Sequence, residues 1–179
     1  MVFQDTIRLE AKNTILALKK QKLKMAMLTG DHEKGARAIA NFLDLDEVYA
    51  DLKPEDKLQI VTQLSEIQNL AMVGDGVNDA PALARATAGI CMGKVGSTTA
   101  IDAADIVLLH DNIEHLEWLF QKARQTTSIV KQNLCIAVGA ILIASLPALA
   151  GLVPLWLAVV LHEGGTVLVG LNALRLLRN

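Results

Sequence analysis

Residues Leu70–Asp79, LAMVGDGVND, give the clearest indication of the fold, because an apolar run passes directly into glycines and carboxylates. Its first four residues are short and apolar enough to form a buried strand, and Gly74 begins the loop that follows. The same pattern occurs earlier, where the apolar residues 23–28 end at Thr29-Gly30-Asp31. Both predicted strands therefore deliver polar groups to their carboxyl ends.

Helical and strand patterns alternate around these two stretches. The alternation is typical of an α/β domain with a Rossmann-like parallel sheet covered by helices, in which ligands bind at the carboxyl ends of the strands. The predicted helices are 6–22, one containing Ala36–Leu43, 54–67, 80–86 and 98–103, and the predicted strands are 23–28, 48–50, 70–73, 89–92 and 106–109.

Composition divides the 179-residue chain into two parts. Residues 1–133 carry 15 basic and 18 acidic side chains, whereas residues 134–174 carry only His162 and Glu163 as basic or acidic groups. With 52% hydrophobic and 20% charged residues, the chain is neither disordered nor collagen-like. The near-neutral balance leaves no basic patch, so we expect no nucleic-acid partner. Cys91 and Cys135 stand far apart and predict neither a disulfide nor a zinc cluster, only small apolar filler.

The loop Gly74–Asp79 holds Asp75 and Asp79 four residues apart, with Asn78 between them. Mg²⁺ typically takes one or two protein carboxylates and completes its shell with water and phosphate. An ordinary Gly/Asp/Asn turn is the alternative, since such residues dominate turns. The position of the loop directly after a buried strand favours the magnesium site.

Thr29, Gly30 and Asp31 offer a hydroxyl and backbone N–H groups at the start of a helix, a typical anion site. The alternative is a helix cap in which Thr29 or Asp31 accepts a backbone N–H. Lys57 lies in the first turn of the helix that begins at Pro54, where a positive charge opposes the helix dipole and indicates an anion to be neutralised. A solvated surface lysine is the alternative there.

Together these pieces resemble the last three motifs of the haloacid dehalogenase superfamily, and more closely the phosphorylation domain of P-type cation-transporting ATPases. The resemblance rests on Met27–Asp31 (MLTGD), Lys53–Lys57 (KPEDK) and Met72–Leu83 (MVGDGVNDAPAL), and Asp5–Arg8 resembles that family's Asp-x-x-Arg segment. It covers nearly the whole chain and corresponds to the C-terminal quarter of a full pump.

The resemblance implies phosphoryl transfer from ATP to an aspartate, followed by hydrolysis. Thr29 would bind the phosphoryl group, and Lys57 would neutralise charge on the aspartyl-phosphate. Asp75 would coordinate Mg²⁺ directly. The supporting residues implied are Asp79 and Asn78 beside the magnesium ion, and Gly30 and Asp31 beside the nucleotide.

The family's nucleophile lies in an Asp-Lys-Thr-Gly-Thr segment, which this sequence lacks. The resemblance therefore implies an incomplete haloacid dehalogenase-like sheet, because the strand that carries the nucleophile is central in it. We expect no ATPase activity from this polypeptide alone, and an acid-stable phosphoenzyme formed with ATP would contradict that expectation. The missing N-terminal part of a pump is the expected partner.

Two nearly charge-free runs, residues 134–151 and 154–174, are each long enough to cross about 30 Å of hydrocarbon, with a tight turn at Gly151–Pro154. A buried helical hairpin of a soluble protein is the alternative. The expected location of the hairpin is the plasma or inner membrane. Basic residues flank the two apolar runs, and they predict that both ends of the hairpin and the preceding domain lie on the cytoplasmic side. The predicted division is a partial phosphorylation domain over 1–115, a connecting helix over 116–133 and a transmembrane hairpin over 134–179.

His162 and Glu163 would lie near the bilayer centre, where an ionisable pair is costly and indicates a functional site. Imidazole and carboxylate suit borderline divalent metals such as Zn²⁺ or Co²⁺, and Thr166, one turn beyond His162, could add an oxygen. A pair bonded to another helix for packing is the alternative. Leu161–Thr166 (LHEGGT) and Leu171–Leu176 (LNALRL) resemble the last span of heavy-metal P-type ATPases, in the form that marks their cobalt/zinc/cadmium branch. The resemblance implies a divalent heavy-metal ion as substrate, with further ligands outside this chain.

These inferences favour the C-terminal part of an ATP-driven heavy-metal export pump that uses Mg²⁺ and ATP. One alternative is a non-catalytic membrane protein that binds metal or associates with a transporter. Another is a free-standing phosphatase of the haloacid dehalogenase type, which is disfavoured because no Asp-x-Asp follows a strand before Thr29.

Overall fold

The computed structural model describes residues 9–75, 77–93, 98–109 and 112–177, and the chain divides into two compact units, residues 1–118 and 119–179. The segment Asp5–Arg8, which resembles the Asp-x-x-Arg motif, lies outside the described residues. The division predicted from the sequence, 1–115, 116–133 and 134–179, remains a prediction.

The first unit alternates helices with short strands. Its elements are α1 (Leu9–Lys20), β1 (Ala26–Leu28), α2 (Glu33–Leu43), β2 (Glu47–Tyr49), α3 (Pro54–Ile67), β3 (Ala71–Gly74), a 3-10 turn (Val77–Asp79), α4 (Ala80–Arg85), β4 (Ala88–Met92), α5 (Thr98–Ala103) and β5 (Ile106–Leu108). This order confirms the predicted α/β class. Residues 6–8 of the first predicted helix lie outside the described residues. Elsewhere the predicted boundaries differ from the observed ones by up to three residues, for example at the later start of β1.

The five strands form two parallel groups, β1–β2 and β3–β4–β5. Ala26 pairs with Glu47 in the first group, and Ala71 pairs with Ala88 in the second. Among the described residues no strand joins β1 to β3, so the predicted sheet is present in two pieces. The carboxyl ends of β1, β2 and β3 carry Thr29, Asp51 and Asp75 respectively.

The core of this unit lies where α4 packs against β4 and α5. Leu83, Cys91 and Ala100 form a fully buried cluster, and Ile90 beside them is 1% exposed. A Cβ at Gly89 would lie 2.5 Å from the Leu83 carbonyl oxygen, so only glycine allows α4 to approach the strand this closely. Cys91 is thus apolar filler as predicted, whereas Cys135, also a free thiol, is exposed on a later helix.

A charged cluster fastens α1 to the chain that leads into β2. Lys19 Nζ lies 2.9 Å from Asp44 Oδ2 and 3.3 Å from Asp46 Oδ1. The hydrogen bond to Asp44 is the main reason that the pKa of Lys19 is raised. Asp46 also accepts the Met25 N–H at 2.7 Å, and that bond is the main reason that the pKa of Asp46 is lowered.

The second unit is a helical hairpin whose first helix begins in the first unit. Helix α6 runs from His115 to Leu149 without interruption, and α7 runs from Leu155 to Ala173 before a short 3-10 turn at Leu174–Leu177. The predicted connecting helix and first span are therefore one helix of 35 residues, with Pro147 in its last turn. Gly151 adopts a left-handed φ of 70° in the connection, as the predicted tight turn requires.

Small residues and amides join the two helices. A Cβ at Gly165 would lie 2.4 Å from the Cβ of Ala140, so the backbones approach closely there. Asn172 Nδ2 donates to Asn133 Oδ1 at 2.8 Å, and Arg175 donates to Gln132 Oε1 at 3.1 Å. Both helices are long and apolar enough to cross a membrane, and only 11% of each apolar window is buried. So little burial is atypical of the core helices of a soluble protein.

Candidate functional site

The carboxyl end of β3 brings Lys57 and Asp79 together. A Cβ at Gly74 would lie 3.0 Å from the Asp79 Cβ and 3.1 Å from its Oδ2, so glycine gives Asp79 room against the strand end. Lys57 Nζ lies 2.9 Å from Asp79 Oδ1, and the two side chains are only 19% and 13% exposed. Lys57 is therefore not the solvated surface lysine that the sequence left open.

Asp75 and Asn78 lie in the same loop but are exposed. Among the described residues neither side chain makes a hydrogen bond or an ion pair. The two carboxylates of the loop thus have different surroundings. Asp79 is buried and neutralised by a cation, whereas Asp75 is free to meet an ion or a ligand from solvent.

The start of α3 sets the position of Lys57. Pro54 occupies the first turn of the helix, and the Asp56 carboxylate accepts the Lys53 N–H at 2.9 Å. These features fix where the helix begins. Lys57 lies four residues after the N-cap residue Lys53, and from there its side chain contacts Asp79.

The loop after β1, Thr29–Asp31, is held by hydrogen bonds between its first and last residues. The Thr29 hydroxyl donates to Asp31 Oδ2 at 2.9 Å and accepts the Asp31 N–H at 3.0 Å. Helix α2 begins two residues later, at Glu33, after His32 in the N-cap position. Neither Thr29 nor Asp31 caps that helix, so the capping alternative is wrong.

Asp51 is a site residue that sequence reasoning missed. It follows β2, and its Oδ2 accepts the Glu33 N–H at 3.1 Å while Oδ1 contacts His32 Nδ1. The contact with His32 is the main reason that the pKa of Asp51 lies below its ordinary value. A carboxylate at the carboxyl end of a third predicted strand was the available signal, since the other two strand ends were singled out for that reason.

The described residues thus form two groups, one around Lys57 and Asp79 and one around Thr29, Asp31 and Asp51. In the described part of the chain no hydrogen bond or ion pair joins the two groups directly. Within the same limits, no group of three or more His, Cys, Asp or Glu side chains is placed to hold a metal ion. The exposed carboxylate of Asp75 is a ligand of the type that Mg²⁺ takes together with water and phosphate oxygens.

The three residues predicted to bind the transported metal, His162, Glu163 and Thr166, lie on α7 and are exposed. His162, Glu163 and Thr166 have no side-chain partner in the described part of the chain, apart from the Thr166 hydroxyl, which donates to the His162 carbonyl at 3.4 Å. The helix instead presents Ala158, Gly165 and Asn172, spaced seven residues apart, as its buried or hydrogen-bonded positions. Helix α6 therefore supplies no ligand to this group.

Comparison with known proteins matches both parts of the chain. The family described as haloacid dehalogenase-like hydrolase matches residues 1–87. A probable cadmium/zinc-transporting ATPase, HMA1, of Arabidopsis thaliana is 53% identical over 86% of this chain and 19% of its own length. The zinc/cadmium/lead-transporting P-type ATPase of Escherichia coli is 45% identical over 99% of this chain and 24% of its own length.

A solved structure extends the match to three dimensions. The crystal structure of a zinc-transporting PIB-type ATPase in the E2.Pi state superposes with a TM-score of 0.92 at 46% identity, over 98% of this chain and 29% of that chain. This chain spans about a quarter of the length of such relatives. The chain belongs to the P-type ATPases, as a part that carries an α/β unit of haloacid dehalogenase-like type and two candidate transmembrane helices.

Proposed function

We propose that this chain stabilises a transferred phosphoryl group in its α/β unit and contributes part of the site for the transported metal in its hairpin. The observation that supports the first role is the buried Lys57–Asp79 pair beside an exposed Asp75. Such an arrangement holds the lysine side chain in one orientation near an exposed carboxylate that can bind a cation.

The proposed roles are those that the resemblance implies, and the surroundings of Lys57, Asp79 and Asp75 are compatible with them. Asp75 binds Mg²⁺, which takes its other ligands from water and phosphate. Asp79 holds Lys57, whose ammonium faces the negative charge of the phosphoryl group, and Asn78 supports the magnesium ion. Thr29, with Gly30 and Asp31, receives phosphoryl oxygens through its hydroxyl and the backbone N–H groups of the loop. ATP is the phosphoryl donor in this proposal, and Mg²⁺ supplies charge neutralisation at the phosphate.

The acceptor aspartate comes, in this proposal, from outside the chain, on a strand inserted between β1 and β3. Both strands are apolar and parallel to their partners, and in the described part of the chain each pairs on one side only. Glu47 donates to the Met25 carbonyl, and Thr29 donates to the Tyr49 carbonyl. Since alternate residues of a strand face one neighbour, Ala26 and Leu28 turn their backbone groups to the open side.

The other open edge belongs to β3. Ala88 donates to the Leu70 carbonyl, so Leu70, Met72 and Gly74 face β4, and Ala71 and Val73 face the open side. Val73 is 41% exposed although it belongs to an apolar strand. An unpaired apolar edge favours addition of a strand. One inserted parallel strand would end at the same edge as Thr29 and Asp75.

For the transported ion, we propose that His162, Glu163 and Thr166 bind a divalent metal together with ligands from another helix. Ionisable side chains on an exposed face of a candidate membrane helix need a partner within the bilayer. Cadmium and zinc are the ions named for the relatives, and the imidazole–carboxylate pair also suits cobalt. The proposed orientation places the α/β unit in the cytoplasm, because the residues flanking the apolar runs are basic.

The test is to supply the N-terminal part of a related pump in trans, in a membrane or detergent, and to measure metal-stimulated ATPase activity. We expect activity with the two parts together and none with this chain alone. Asp75→Asn should abolish Mg²⁺-dependent turnover, whereas Asp102→Asn, on the exposed face of α5, should leave it unchanged. Retained turnover in Asp75→Asn would contradict the magnesium role.

The same assay separates the two halves of the proposal. His162→Ala and Glu163→Ala should lower the response to Zn²⁺, Cd²⁺ and Co²⁺ without changing the unfolding temperature of the α/β unit. If the ATPase response to these metals is unchanged, the two residues do not bind metal, and the alternative of a pair that packs against another helix is favoured. If the combined parts bind metal but never hydrolyse ATP, the chain is instead a non-catalytic metal-binding or transporter-associated protein.

A further inference from the structure

Asp51 joins the two loops at the carboxyl ends of β1 and β2. Its N–H donates to the Asp31 carbonyl at 2.9 Å, and the next residue, Leu52, donates its N–H to the Thr29 carbonyl at 3.1 Å. A Cβ at Gly30 would lie 3.2 Å from the Leu52 carbonyl oxygen. The Thr29–Asp31 loop is therefore held along its whole length by the residues that follow β2.

The backbone of Asp51 is left-handed, with a φ of 53°. Few residues other than glycine adopt this conformation readily, and aspartate and asparagine are the usual exceptions. The conformation lets one residue use its N–H on the Thr29–Asp31 loop and its carboxylate on α2. An alanine at this position would lose both the conformation and the acceptor.

The Asp51 carboxylate caps α2 from a distant part of the sequence. His32 occupies the N-cap position but makes no capping bond with its side chain. Asp51 Oδ2 accepts the Glu33 N–H instead, and Oδ1 contacts the His32 ring. A negative charge at a helix N-terminus is favourable, so the carboxylate fixes α2 relative to β2.

The same segment leads directly into α3. Pro54 begins that helix three residues after Asp51, and Lys57 in its first turn binds Asp79. A movement of Asp51 would therefore displace the Thr29 loop and the origin of α3 together. No other residue in the described part of the chain bonds to both the Thr29–Asp31 loop and α2.

We propose that Asp51 is a positioning residue that fixes the Thr29–Asp31 loop and the start of α3 in one geometry, so that Thr29 and Lys57 address the same phosphoryl group. The purpose of this geometry rests on the proposed function, whereas the fixing itself does not. Asp51 touches no reacting atom in this proposal and acts through Thr29 and α2.

The test uses the full isotope-labelled chain in detergent and three variants. Asp51→Gly keeps the left-handed backbone and removes the acceptor, and Asp51→Asn keeps both the backbone and an acceptor oxygen. The matched control is Asp44→Gly, because Asp44 is also left-handed, with a φ of 57°, and lies at the other end of α2. Amide hydrogen exchange and amide chemical shifts are measured by NMR.

In Asp51→Gly we expect exchange of the Glu33 N–H to be about tenfold faster, with shifted amides at Thr29–Asp31. Asp51→Asn should stay within about twofold of the wild type, since an asparagine oxygen also caps helices. Asp44→Gly should leave these amides unchanged. With Mg²⁺ and inorganic phosphate as the probe, the shifts at Thr29–Asp31 should saturate at a roughly three- to tenfold higher phosphate concentration in Asp51→Gly.

Two results would overturn the proposal. One is wild-type exchange and shifts in Asp51→Gly, and the other is the same changes in Asp44→Gly, which would indicate general destabilisation. If phosphate shifts no amide in the wild-type chain, the role of Thr29 in the proposed function fails. The exchange measurement then still decides whether Asp51 positions the loop.

Discussion

Replacing Gly74 by alanine adds one methyl group to the candidate site and so tests its geometry. A Cβ there would press against the Cβ and carboxylate of Asp79 at 3.0 and 3.1 Å, so Gly74→Ala should displace Asp79 and weaken its bond to Lys57. We expect the free energy of unfolding to fall by about 1–3 kcal/mol, which is typical of overpacking. We also expect the ATPase activity of the reassembled pump to fall, because the position of Lys57 depends on Asp79.

The control for this prediction is another glycine of the same unit. A Cβ at Gly35, in α2, meets nothing within 4 Å, so Gly35→Ala should be neutral or slightly stabilising. Unfolding by urea, followed by circular dichroism, measures both variants. Equal effects of the two substitutions would mean that Gly74 is not constrained by Asp79.

Asp46 predicts a dependence of stability on pH. Its pKa is lowered by the Met25 N–H and by Lys19, so its carboxylate contributes stability above its ordinary pKa and loses that contribution as the pH falls through the lowered value. The unfolding temperature of Asp46→Asn should therefore lie below that of the wild type at about pH 6 and approach it as the pH falls below the ordinary pKa of aspartate, about 3.9. A difference that stays constant across this range would exclude the carboxylate as its cause.

Single residues also show what the sequence could and could not predict. Lys57 was singled out because a lysine in the first turn of a helix opposes the dipole, and the structure pairs it with Asp79. The pairing itself was not predictable, since the two residues are 22 positions apart and meet through the packing of α3 on α4. Asp51 was not predicted because its partners, Asp31 and Glu33, lie in the loop after β1 and at the start of α2, which only strand pairing brings close to it.

At the scale of elements, the hairpin depends on Gly165. A Cβ there would lie 2.4 Å from the Ala140 Cβ, so Gly165→Leu should force α6 and α7 apart. Gly164→Leu is the matched control, because a Cβ at the neighbouring position meets nothing within 4 Å. Spin labels on Cys135 and on a cysteine at Leu168, both exposed, report the separation of the helices.

We expect the label distance in Gly165→Leu to grow by about 2 Å, within the usual range of helix packing distances, and to be unchanged in Gly164→Leu. An unchanged distance in both variants would show that the close approach at Gly165 does not hold the hairpin together. Neither substitution removes Asn172 or Asn133, so the two variants differ only in which glycine gains a side chain.

Element types were easier to predict from the sequence than their extents. The helical spacing of apolar residues and a proline in the first turn were sufficient to predict α3 and α4, which begin near Pro54 and Pro81. The sequence predicts a connecting helix over 116–133 and a first span from residue 134, and α6 runs through both ranges as one helix. The reason is physical, because a change from polar to apolar residues alters what surrounds a helix and not its backbone hydrogen bonds.

At the scale of the whole molecule, the strands could be predicted but not their arrangement. Pairing of β1 with β2 and of β3 with β4 follows from short local crossovers, which the alternating pattern implies. In the described part of the chain no strand joins the two groups. The resemblance predicts a central strand between them that carries the nucleophile, whereas periodicity alone predicts one continuous sheet.

The two tryptophans allow a test of the membrane assignment on the intact chain. Trp118 lies in α6 about 24 Å before Leu134, and Trp156 lies in the first turn of α7, beyond the far end of the first apolar run. If residues 134–174 span a bilayer, Trp156 lies at the boundary of the opposite leaflet and Trp118 lies outside the membrane. In vesicles of brominated phospholipid, Trp118→Phe, which retains Trp156, should lose most of its fluorescence, and Trp156→Phe, which retains Trp118, should lose little. Equal quenching of the two variants would contradict a spanning hairpin, because the exposed apolar faces of α6 and α7 would then lie along the membrane surface or pack against protein.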